Sequence, residues 1–148
     1  MQPEILEFHK DEYTISTDPT RLDLDVIHDF LANRSYWVKG IPRPPLEKAI
    51  EHSLPFGLYY QGKQIGFARV LTDYERLAYL MDVFILEEHR GQGLGKWLLA
   101  CVFSHPELKD VRRWMLATWD AHRLYAKFGF TPLTRPDRLI EKVSKEGQ

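Results

Sequence analysis

Apolar side chains recur along the chain at two different spacings, and the switches between them mark out its elements. Tyr13 and Ile15 alternate with polar neighbours, which predicts a short strand over 12–16, broken by Asp18-Pro19. From Asp23 the spacing turns helical. Leu24, Ile27 and Leu31, with Val26 and Phe30 beside them, share one face, and Asp23 or Asp25 is placed to cap the start. Ile41-Pro42-Arg43-Pro44-Pro45 predicts an extended, rigid segment, because proline fixes its own φ and biases the residue before it away from helix. Leu46 and Ile50, with Leu54 continuing the stripe, predict a second short helix. The aromatic stretch 56–60, the turn Gln61-Gly62-Lys63 and the run 65–71 read as a hairpin, and Thr72-Asp73 as the next turn.

Leu77 to Leu86 is the longest apolar run. Its length, its aromatic and β-branched content and its polar flanks predict a buried central strand. A loop over 87–95 follows, with glycines at 91, 93 and 95, and then Leu94, Trp97, Leu98, Cys101 and Val102 at helical spacing up to His105-Pro106. Residues 111–118 predict another strand. Ala121, Leu124, Tyr125 and Phe128 make a one-sided helix, and Gly129 stands where a left-handed helix end would sit. Two last strands, from Phe130 onward and over 138–143, and a fraying tail, 144–148, complete the order. Strand, helix and strand over 77–118 predict a parallel, right-handed crossover within a mixed sheet.

Composition narrows what such a fold can do. At 148 residues and 17.4 kDa the chain reads as one domain, 1–148. With 44% hydrophobic and 28% charged residues it is neither disordered nor low-complexity. Twenty Lys and Arg against 21 Asp and Glu leave a formal charge of -1, which argues against a nucleic-acid partner. The lone cysteine, Cys101, can form no intramolecular disulfide and no zinc cluster; no metal is expected, and a reducing cytoplasm is. Met1-Gln2-Pro3-Glu4 lacks the basic start and apolar run of a signal peptide, and no run reaches the roughly 18–20 apolar residues of a membrane helix.

The segment Arg90-Gly91-Gln92-Gly93-Leu94-Gly95-Lys96 carries the most chemistry. It follows a central strand and opens a helix, whose first N–H groups and dipole attract an anion, while glycines let the backbone come close. A Walker loop would need glycine at 90 and a hydroxyl at 97, where Arg and Trp stand; a dinucleotide fingerprint would need glycine at 96, where Lys stands. What fits is Arg90-x-x-Gly93-x-Gly95, which resembles the acyl-CoA pyrophosphate loop of the GNAT N-acetyltransferase superfamily. Ala121, Tyr125 and Gly129-Phe130 are similar to that family's second motif, A-x-x-x-Y-x-x-x-G-F.

The resemblance implies an α/β (α+β) fold: a mixed central sheet of about six to seven strands, helices on both faces and a splayed V between two parallel strands. It implies acetyl transfer from acetyl-CoA to a primary amine, by direct attack in a ternary complex. A non-catalytic acyl-CoA-binding module is the alternative. Within it, backbone groups near Phe84 and Ile85 would hold the pantetheine arm, and Arg90, Gly91, Gln92, Gly93, Gly95 and Lys96 the pyrophosphate. Ala121 falls in the second motif. Thr118 stands where the family often has Asn. Tyr125 matches the residue that protonates the departing thiolate.

Asp82, the charge inside the apolar run, reads as a general base acting through water, an anchor for a cationic substrate, or a structural carboxylate capping a neighbouring backbone group or pairing with an arginine. Glu75, Asp120 and His122 are further base candidates. Tyr36 and Trp37 are candidate acceptor contacts, and Tyr59, Tyr60 and Trp119 could line the same pocket. The acceptor is a small-molecule or peptide amine, no membrane is involved, and a late strand or sheet edge is where two copies could pair as a homodimer.

Overall fold

A computed structural model describes residues 3–144. Strands β1 (Glu7–Lys10) and β2 (Tyr13–Ser16) lead to helices α1 (Leu24–Asn33) and α2 (Arg43–Glu51). Strands β3 (Leu54–Tyr60), β4 (Lys63–Thr72) and β5 (Ala78–Ile85) come next, then α3 (Leu94–Ser104), β6 (Trp114–Met115) and α4 (His122–Ala126). One six-stranded sheet runs in chain order, antiparallel throughout except for the parallel β5–β6 pair.

Local chemistry explains most boundaries. Asp23 caps α1 by accepting from the N–H groups of Asp25 and Val26 at 3.1 and 3.2 Å. The β3–β4 turn has positive φ at both Gln61 (51°) and Gly62 (80°), the pairing that matches the twist of a hairpin. Arg43-Pro44-Pro45 opens α2 instead of holding an extended segment, since the first helical positions need no N–H donors. Leu54 leaves the helical stripe and starts β3, and β1 was not legible as a strand at all.

The sheet separates two apolar clusters. Ile27, Phe30 and Leu31 of α1 and Leu46 and Ile50 of α2 pack on Phe67 and Phe84, with the Phe30 and Phe84 rings stacked at 4.1 Å. Leu94, Leu98, Leu99 and Val102 of α3 join Phe56, Val70 and Leu80 in the other cluster. Leu80 and Phe84 are four residues apart and would face the same way on a regular strand. Phe67 pairs with Phe84 and Arg69 with Met81, so three steps of β5 match two of β4. This bulge, with Asp82 at φ 56°, turns the strand over between its two halves.

The strand expected over 111–118 pairs only through Trp114 and Met115, opposite Ala78 and Tyr79. Beyond them the two chains part, and residues 80–85 have no ladder partner on that side, which opens the expected V. The two strands expected after Phe130 do not form. Residues 131–143 are exposed with a single short turn at Pro136–Arg138, and Ile140 is 95% exposed. Pro132 and Pro136 withhold the N–H groups a ladder would use. Of the tail expected to fray, 145–148 lies outside the described residues.

Candidate active site

The loop between β5 and α3 is built for an anion. After a short turn at Glu87–His89, Gly91 and Gly93 both have positive φ, 82° and 78°, which an L side chain adopts only with strain. A Cβ on either would meet nothing within 4 Å, so the space above the loop is open. Gly93 precedes α3, and no side chain caps that helix. Its first N–H groups are thus available to a phosphate. Gly95 lies inside the first turn of the helix rather than in the loop, beside exposed Lys96.

Two side chains brace this loop. Arg90 Nε donates to the carbonyl of Ile85 at 2.8 Å, tying the loop to the end of β5, while the rest of its guanidinium stays exposed. Gln92 Oε1 accepts from the Tyr13 hydroxyl at 3.2 Å, and its Nε2 donates to the His89 carbonyl at 3.2 Å. The Tyr60 ring lies 5.2 Å from that of His89, so Tyr60 supports the loop, whereas Tyr59 is buried under Arg21; neither joins an acceptor pocket.

The backbone of β5 is split between its two sides. Leu86 N–H bonds to the Ile65 carbonyl, so alternation turns the backbone of Phe84 towards β4 and that of Val83 and Ile85 towards the open V. Ile85 therefore sits where an arm in the V could bond, and Phe84 does not. Val83, which sequence reasoning passed over, does. The location of the bulge decides this, and no local sequence signal shows it.

Asp82 is held by two partners. Its Oδ2 accepts from Arg69 Nε at 2.6 Å and its Oδ1 from Trp37 Nε1 at 2.8 Å. The Arg69 and Asp82 side chains are 10% and 7% exposed. Arg69 Nη1 also donates to Ser53 Oγ at 2.9 Å, and Ser53 to the Ala49 carbonyl at 2.7 Å. With both oxygens engaged, Asp82 has the geometry of an anchor for the segment after α1, the arginine-paired reading of its charge.

Across the V, Thr118 Oγ1 accepts from Ala121 N–H at 3.1 Å, so this hydroxyl and Ala121 together shape the start of α4. Tyr125 is buried against Phe130, ring to ring at 5.8 Å. Burial first, then Tyr36 and Asp120, push its phenol up to about 12, so it keeps its proton at neutral pH. The Tyr36 hydroxyl accepts from Trp119 N–H at 3.0 Å, and the Tyr36 ring packs edge to face on Trp37 at 5.0 Å and on Trp119 at 4.5 Å. The 34–41 segment thus spans the V, pinned to β5 through Trp37 and to the loop before α4 through Trp119. Asp120 precedes Tyr125's helix and His122 is its first residue, whereas Glu75 lies at the opposite end of β5, with Arg112 at 3.8 Å.

A cavity of about 920 Å³ lies on the outer side of β6, lined by Trp114, Leu116, Tyr125, Phe128 and Phe130 among others, and by no residue of β5 or the glycine loop. It adjoins the V but is not the anion cradle. Cys101 is buried in α3, its thiol pushed up to about 11 by burial, and takes no part in the cleft.

Residues 51–132 match the family model described as an acetyltransferase (GNAT) domain. A Gibberella zeae protein carrying an acetyltransferase name is 33% identical over 136 residues, 78% of this chain and 77% of its own length. The spermine/spermidine N(1)-acetyltransferase of Bacillus subtilis is 35% identical over 95 residues, 56% of this chain and 62% of that enzyme. A crystal structure from Xanthomonas campestris pv. campestris, described as a GNAT-family acetyltransferase, superposes with a TM-score of 0.87 at 48% identity, covering 89% of this chain and 93% of that one.

Proposed function

The chain belongs to the GNAT acetyltransferase family, and from that membership we propose the roles its residues take in acetyl transfer. It is an enzyme, an N-acetyltransferase that uses acetyl-CoA. Acetyl-CoA, when bound, supplies the thioester. The positive-φ glycines, Gly91 and Gly93, and the uncapped start of α3 carry this assignment, because they leave backbone N–H groups aimed at open space.

In this reading the N–H groups of residues 91–96 take the pyrophosphate. Lys96 and the free part of Arg90 screen its charge, and Gln92 keeps the loop in shape. Val83 offers its backbone groups to the pantetheine arm, and Ile85, whose carbonyl Arg90 holds, its N–H. The amine enters past Tyr36 and Trp37 and attacks the thioester carbonyl directly, with no acyl-enzyme, as the buried, high-pKa thiol of Cys101 favours. Tyr125 holds a proton at neutral pH to give to the leaving sulfur. Asp82 positions Trp37 and is not the base.

The acceptor is a primary amine, as the polyamine named for the Bacillus relative is. The free thiol supports a cytoplasmic location, and no helix among the described residues is long and apolar enough to cross a membrane. The unpaired outer edge of β6 supports pairing of two copies as a homodimer.

The test is a thermal-shift titration with acetyl-CoA, followed by a CoA-release assay against a broad set of amines. A stabilisation of about 2.7 kcal/mol is expected at a hundredfold excess over Kd. No shift with either acetyl-CoA or CoA rejects the cradle. A shift without CoA release by any amine rejects the catalytic roles and leaves a binding module.

A further inference from the structure

The aromatic wall across the V has faces that the chain itself does not cover. Tyr36 is 47% exposed, Trp37 37% and Trp119 71%. Tryptophan is highly buried on average, so two such rings at a reactive cleft point to something that lies on them. Fixed contacts hold the wall together: Trp37 Nε1 donates to Asp82, the Trp119 backbone N–H donates to the Tyr36 hydroxyl, and the Trp119 ring packs edge to face on that of Tyr36 at 4.5 Å. A wall set in advance binds a flat group at small ordering cost.

The charge beside it is sparse. Asp82 is engaged by Arg69 and Trp37, which leaves neither of its oxygens to an incoming cation. Asp120, next to Trp119 in the chain, has no ion-pair partner among the described residues, and its charge reaches Tyr125. One free carboxylate beside three apolar faces suits one ammonium on a flat apolar body. A polyamine brings further ammonium groups that this wall does not pair.

We propose that the acceptor is a monoamine carrying a flat apolar group, an arylalkylamine in chemical class, whose ring lies on Trp119 and Tyr36 while its single ammonium meets Asp120. This rests on the cleft being the acetyl-transfer site, and it makes Trp119 a specificity-determining residue. The Bacillus polyamine enzyme matches over only 62% of its length, so its acceptor is a competing outcome rather than a premise.

The experiment titrates the full chain, saturated with CoA, with 2-phenylethylamine, butylamine and spermidine, read by calorimetry and by tryptophan fluorescence. Phenylethylamine is expected to bind about tenfold tighter than either of the others and to quench the fluorescence. Trp119→Ala should remove that preference while acetyl-CoA binding stays as in the parent, which also reports that the variant is folded. The proposal is overturned if spermidine or butylamine binds as tightly as phenylethylamine, if none of the three binds, or if Trp119→Ala leaves phenylethylamine binding unchanged. A CoA-release assay separates the two layers. Fastest release with spermidine overturns the acceptor class but keeps acetyl transfer. Selective phenylethylamine binding with no release from any amine keeps the class and rejects the catalytic reading.

Discussion

Trp37 donates its indole N–H to Asp82 at 2.8 Å, across 45 positions of sequence. That bond joins the segment after α1 to the bulge of β5, where Asp82 sits at φ 56°. Asn and Asp tolerate this left-handed backbone better than other side chains, so the bulge, the ion pair and the aromatic wall all meet at a position where few residues fit. A carboxylate in a buried strand is costly alone; here Arg69 and Trp37 satisfy both oxygens.

Asp82→Asn keeps the backbone conformation but leaves the Arg69 guanidinium buried without its anion. Breaking a buried pair from one side should lower unfolding free energy by about 3–5 kcal/mol. Adding Arg69→Met should restore part of the loss. Urea denaturation of both singles and the double measures this, and a loss in the double equal to the sum of the two single losses would show that the pair does not couple.

Gly93→Ala places a Cβ at φ 78°, with strain of roughly 1–2 kcal/mol, and puts a methyl into the open space over the loop. Acetyl-CoA binding should weaken by about tenfold or more, with only a small fall in thermal midpoint. Calorimetric titration decides, and unaltered affinity would move the phosphate away from this loop.

Tyr125→Phe removes one oxygen from a ring that is already buried, so the fold should be retained. The expected result is a fall in kcat of about a hundredfold with little change in KM for acetyl-CoA. Because the phenol is pushed up to about 12, any loss of rate between pH 8 and 10 should persist in the variant. An alkaline limb in this range that disappears with Tyr125→Phe would contradict the shift.

His105, only 1% exposed, accepts from Glu107 N–H at 3.0 Å through Nδ1, while its Nε2 has no partner. Burial lowers its pKa against the opposing charge of Glu107, so the folded chain holds it neutral. The unfolded chain binds a proton below about 6.5, and the folded chain does so only at lower pH. Its contribution to stability is therefore full above pH 6.5 and declines as pH falls towards the folded pKa. Urea midpoints at pH 7.5 and 5.0 should differ more in the parent than in His105→Phe; equal differences would assign the acid loss elsewhere.

Much of this protein was legible in residue order. Periodicity located both early helices, the β3–β4 hairpin with its Gln61-Gly62 turn, the β5 run and the α3 stripe, because each is set by contacts within a few residues or by one buried face. The glycine loop was legible for the same reason: positive φ at 91 and 93 is a local demand that only glycine meets cheaply. The prolines at 44 and 45 and the apolar residues after 130 misled, since a helix start accepts proline and a strand forms only where an edge pairs with it.

Tertiary structure alone decided the rest. The bulge turns β5 over, so Val83 and Ile85, not Phe84, face the V, and only pairing with β4 reveals that extra residue. Asp82 reads three ways as a lone charge in an apolar run, and only the fold shows both of its oxygens engaged, by Arg69 and Trp37. Trp119 and Tyr36 lie 83 positions apart and became one wall through a single N–H bond, a long-range contact that no local spacing encodes.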